Sequence, residues 1–131
     1  MAQEGIQFTS GTWDEILYKA KMENKLVFVD AYTTWCGPCK QMSKRVFPQK
    51  AVGDFFNDQF INAKINMEKG EGLKLANKYE VIAYPTLLFI DSYGRRVHQS
   101  VGYHTAEQLV ELGSNAINPT KQLASLEEQY L

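Results

Sequence analysis

Cysteine is nearly absent, with two residues, Cys36 and Cys39, in a chain of 131. A disulfide framework of the kind that staples small secreted domains is thereby excluded, and two cysteines separated by two residues form a redox or metal pattern instead. Histidine is as scarce, with His98 and His104 alone. A zinc site needs three or four ligands, and these two histidines lack the paired spacing that would complete one, so no metal is expected. His98 alternates along a strand and His104 precedes a helix, and edge or surface roles suffice for both. An excess of one charge is missing too: 14 Lys+Arg against 15 Asp+Glu leave a net charge of −1. No global field draws in nucleic-acid backbones or anionic lipid. The longest nearly apolar stretches, 26–29 and 84–90, fall far short of the ~20 residues of a membrane span. Neither nucleic acid nor membrane insertion is expected. There is no Walker loop, dinucleotide fingerprint or metalloprotease motif, and no cofactor is implied.

What is present reads as one globular domain, with 44% hydrophobic and 22% charged residues and no repeat. Thr12 and Glu15 fit a capping box ahead of Trp13, Ile16, Leu17 and Ala20, predicting a helix over 13–23. Residues 26–29 form a short apolar strand leading through Asp30-Ala31-Tyr32 into a loop. A helix from Cys36 to about Val46 tolerates Pro38 in its first turn, where the N–H groups lack intrahelical partners. A short helix around Val52, Phe55 and Phe56 and a strand over 60–66 follow, then a helix over 72–79 packing through Leu73, Ala76 and Tyr79. Strands over 86–91 and 95–101 flank Ser92-Tyr93-Gly94 as a hairpin. Thr105 and Gln108 cap a last helix with Leu109, Leu112 and Ala116 inward. The predicted fold is α/β: a mixed sheet with one antiparallel edge, flanked by helices. The domain spans 1–117, and 118–131 forms a helical tail through Leu123, Leu126 and Tyr130.

The chemistry centres on the two cysteines. A thiolate is the species that attacks a disulfide, and a free thiol titrates near pH 8.5. Cys36 would sit at a helix N-terminus, where orphan N–H groups and the positive end of the dipole stabilise negative charge. It is the expected nucleophile, and Cys39, one turn inward, the resolving thiol. Asp30, on an otherwise apolar strand, is costly to ionise, which lifts its pKa toward the range of a useful base. Trp35 and Tyr32 flank the pair, shielding Cys39 and offering contact area to a partner. Lys40 reads as a solvated helix residue.

The run Trp35-Cys36-Gly37-Pro38-Cys39-Lys40, after an apolar strand and opening a helix, resembles the active site of thioredoxin. Asp30, Lys64, Tyr84-Pro85-Thr86 and Val101-Gly102 extend the resemblance over about 25–117. It implies a thioredoxin fold and a thiol:disulfide oxidoreductase that reduces or isomerises protein disulfides. It further implies that Asp30 exchanges a proton with Cys39 beside Lys64 and that Tyr84–Pro85 is cis. Tyr84, Pro85, Thr86 and Gly102, with Trp35, would bind substrate, and Gly37-Pro38 is the dipeptide of reducing thioredoxins. Protein disulfides or dithiols and a redox partner protein are the implied partners of a monomer.

Lys44 replaces the helix-kinking proline usual in small thioredoxins, and residues 45–56 look like an added turn and short helix. The added segment resembles the C-terminal thioredoxin-like domain of bacterial thiol:disulfide interchange proteins and disulfide-isomerase-like relatives. An extracytoplasmic, periplasmic setting is therefore expected, with the leader absent from this stretch, and a cytoplasmic one is the alternative. The rival function is a non-enzymatic thioredoxin-like module that binds a protein partner.

Overall fold

The computed structural model describes residues 4–122. At its centre lies β1 (Leu26–Tyr32), which reaches past the expected apolar run to include Asp30. β2 (Phe60–Asn66) lies parallel to it on one side; on the other, β3 (Thr86–Ile90) runs antiparallel to β1 and β4 (Arg96–Val101) antiparallel to β3, in the order β2-β1-β3-β4. The antiparallel contact thus runs through the middle of the sheet and is not confined to an edge. Thr86 pairs with Ala31, so β3 starts at the end of the sheet where β1 and β2 finish. The excursion between β2 and β3 returns to that end and does not cross to the other.

Alternation along β1 divides the core. Val27, Val29 and Ala31 face one layer, built on Trp13, Ile16 and Ala20 of α1 (Trp13–Glu23) and Leu75 of α4 (Glu71–Lys78). Phe28 faces the opposite layer, with Met42 of α2 (Gly37–Arg45), Phe56 of α3 (Lys50–Gln59) and Leu109 of α5 (Ala106–Ala116). Both expected capping boxes form, Thr12 with Glu15 and Thr105 with Gln108. Asp91 Oδ1 accepts the amides of Tyr93 and Arg95, closing the hairpin turn in which Gly94 takes a left-handed φ of 83°.

α4 keeps two of its expected inward residues, with Tyr79 buried and Ala76 packed against the core, but not Leu73. Leu73 is 56% exposed, whereas Gly72, Leu75 and Tyr79 point inward. Gly72 decides the rotation, because its α-carbon lies against the backbone of Asn66 and Met67, where no side chain fits. The N-terminal segment docks across the second layer: the Ile6 amide donates to Phe47 O (2.9 Å), the Thr9 amide to Asn62 O (2.7 Å), and Phe8 bridges to β2. The tail residues Leu123, Leu126 and Tyr130 lie outside the described residues.

Phe56 is fully buried and stacks edge-on or tilted against Phe28, Phe55, Phe60 and Phe89. Phe56→Ala should cost about 3–5 kcal/mol in urea unfolding. Leu73→Ala should change stability by under about 0.5 kcal/mol, and a large loss there would contradict the assigned inner face.

Candidate active site

α2 begins where β1 runs out. Cys36 has extended backbone (φ −81°, ψ 112°) and is the N-cap, Gly37 and Pro38 open the first turn, and Cys36 Sγ accepts the Cys39 amide at 3.2 Å. The sulfur thus takes the place of the oxygen that ordinarily caps a helix, at the positive end of the dipole. Cys36 and Cys39 form a disulfide with 5.3 Å between their α-carbons. In this oxidised form both cysteines are buried, Cys36 with 3% of its surface exposed and Cys39 with 2%. The joined sulfurs cover one another, and what separates the two cysteines here is the cap position.

The parallel register sets Asp30 opposite Lys64. Asp30 has no exposed surface, and Lys64 Nζ donates to its Oδ2 at 2.8 Å and also bonds Ser43 Oγ of α2. Burial pushes the Asp30 carboxyl above its ordinary range, with the Lys64 charge and hydrogen bond opposing the shift. Three rings surround the ammonium: Tyr32 at 4.8 Å, Phe47 at 5.2 Å and Phe8 at 5.7 Å. Such contacts contribute about 0.5–2 kcal/mol each, and they keep a long, rotatable side chain beside its carboxylate. Tyr32, Cys39, Ser43 and Lys64 share the lining of one cleft of about 430 Å³, so the inner cysteine and the lysine of the ion pair face one cavity.

On the other side of the dithiol, Tyr84–Pro85 is cis and precedes β3, and Thr86 Oγ1 donates to Ala83 O at 2.6 Å. The Gly102 amide donates to Pro85 O at 2.8 Å, tying the end of β4 to the proline loop, and Gly102 takes φ 96°. His104 lies within hydrogen-bond distance of Gly102 O (2.8 Å, Nδ1) and Ser100 Oγ (2.9 Å, Nε2). Trp35, 65% exposed, packs edge-on against Tyr84 and donates its indole N–H to Glu68 at 2.8 Å. These contacts join Trp35, Tyr84, Pro85, Thr86 and Gly102 into one group, in which Thr86 is buried, while Tyr32 and Cys39 share a cleft with Lys64, the partner of Asp30. Sequence reasoning misses Ser43, Phe8 and Phe47, since each reaches Lys64 across a distance in the chain that only the fold closes; His104, read as a surface residue, instead makes local contacts with Ser100 and Gly102.

A native Asp30 pKa raised above 3.8, the value taken for the unfolded chain, makes the folded state the tighter proton binder. The protein then loses stability as pH rises from the unfolded value through the native one. Asp30→Asn removes that loss. Its melting temperature should exceed that of the parent by several degrees at neutral pH, the gap closing as pH falls toward 3.8; thermal scans across pH check both parts.

A family profile described as thioredoxin matches residues 4–114. The chain is 33% identical over 113 residues to thioredoxin Y, chloroplastic, of Oryza sativa subsp. japonica, covering 86% of this chain and 62% of that protein. It is 30% identical over 105 residues to the thiol:disulfide interchange protein DsbD of Yersinia pestis, covering 78% of this chain and 18% of that one. The chain thus spans less than two thirds of either protein. Among solved structures, a Bacteroides thetaiotaomicron protein provisionally described as a disulphide-isomerase is 47% identical, with a TM-score of 0.78 over 90% of this chain and 98% of that one.

Proposed function

The chain belongs to the thioredoxin family, and from that premise we propose that it reduces or isomerises protein disulfides through Cys36 and Cys39. The observation that carries this reading is the capping geometry, in which Cys36 Sγ accepts the Cys39 amide at the start of α2. In the reduced protein the same amide and helix end favour the Cys36 thiolate.

The thiolate attacks one sulfur of a substrate disulfide, forming a mixed disulfide and releasing the other sulfur as a thiolate. Cys39 gives its proton to Asp30, and its thiolate attacks Cys36 Sγ. That step forms the Cys36–Cys39 bond, breaks the mixed disulfide and leaves both electrons on the substrate. Asp30 can take the proton because burial raises its pKa, and Lys64 at 2.8 Å steadies the charged form when Asp30 releases it. Trp35, Tyr84, Pro85 and Gly102 form the surface for the incoming peptide, with the buried Thr86 bracing the proline loop from behind through Ala83 O; Tyr32 shields the inner thiol, and Gly37-Pro38 sets the spacing of the pair.

Electron flow toward the substrate is favoured by the absence of histidine between the cysteines, since a strongly stabilised thiolate is what makes a dithiol oxidising. The protein works as a monomer beside a separate redox partner. Similarity to DsbD and the added helix α3 support an extracytoplasmic setting.

Two measurements test the reading. Cys39→Ser should trap a mixed disulfide through Cys36, and Asp30→Asn should slow its resolution at neutral pH by about tenfold or more in rapid mixing; an unchanged rate removes Asp30 from the mechanism. Equilibration with glutathione should give a potential nearer to about −270 mV than to about −120 mV. A value at the oxidising end overturns the reductive direction, and failure to exchange with any disulfide favours the binding module.

A further inference from the structure

The helix that carries the dithiol is charged unlike the chain around it. α2 holds Lys40, Lys44 and Arg45 and no acidic residue, within a chain whose net charge is −1. Lys40 and Lys44 stand four residues apart, on one flank of the helix. Both line, with Lys64, the cleft that reaches Cys39, and no carboxylate lines it. Asp30 is buried and taken up by Lys64. Among the described residues Lys25, Lys50 and Arg95 have acidic partners, while Lys40 and Lys44 have none.

We propose that this cleft receives an acidic side chain of the protein substrate, so that disulfides flanked by Asp or Glu are selected. The inference rests on the reading that the dithiol acts on protein disulfides. Position identifies the occupant, because a protein joined to Cys36 lies over the start of α2, and residues near its cysteine are the ones delivered to Lys40 and Lys44. The chemistry agrees. The Tyr32 ring and the lysine methylenes offer apolar walls to the stem of a glutamate, and the two ammonium groups meet its carboxylate. Exposed ion pairs contribute little singly, so the selection expected is roughly three- to tenfold, mostly in the rate of encounter.

The test uses bridged peptides identical except for the residues flanking the disulfide: Glu, Gln or Lys. Reduction is followed as kcat/KM at low and high salt, with bis(2-hydroxyethyl) disulfide as an uncharged control. Lys44 is the residue to change, since Lys40 adjoins Cys39. The protein should prefer Glu over Gln over Lys at low salt, and salt should flatten the series. Lys44→Glu should reverse the order, Lys44→Gln should weaken it, and Lys44→Arg should restore it, all with the control rate unchanged. Equal rates for the three peptides, or an order that survives Lys44→Glu, would overturn the inference while control turnover leaves the dithiol reading standing. Absence of turnover on every disulfide would overturn both.

Discussion

A carboxylate with no exposed surface in the middle of a five-residue buried run is an expensive thing for a sheet to hold. Desolvation alone would cost Asp30 several kcal/mol if it were ionised and unpaired. The surroundings answer this through the register of β1 on β2, which sets Lys64 beside it, and through the rings of Tyr32, Phe47 and Phe8. Those rings come from the end of β1, the turn after α2 and the N-terminal segment. Three remote parts of the chain are therefore organised around a single ammonium group.

That arrangement also explains the position of α2. Ser43, two turns beyond Cys36, bonds Lys64 from the helix side, so the helix that presents the sulfurs is fastened to the pair proposed to move the proton. The opposite rim is held by different means, a backbone bond from Gly102 to Pro85 and the contacts of His104. The dithiol lies between a polar anchor and a backbone anchor.

Much of this was legible in the residues. Capping boxes at Thr12 and Thr105, the apolar centre of β1, and the motif from Trp35 to Lys40 are local signals, and local signals survive folding. The inner face of α4 was misread at Leu73 because that residue is the more hydrophobic choice by side chain, whereas the deciding contact is made by Gly72, which has none. The mixed sheet and its antiparallel β3–β4 hairpin were legible too, whereas the antiparallel pairing of β3 on β1 depends on where a connection returns, and no residue type encodes that. Nothing in the residues around Phe8 or Phe47 marks them as neighbours of a lysine. Only the closed fold shows that they face a charge.

The N-terminal clasp bears on how the protein is made and handled. Residues 6–9 are synthesised before their partners, Phe47 and Asn62, which follow some forty to fifty residues later. The segment must wait unpaired until β2 has emerged, and it docks after the elements that it covers. A purification tag or fusion at the amino end pulls on the strand that carries Phe8 and thereby on the setting of Lys64.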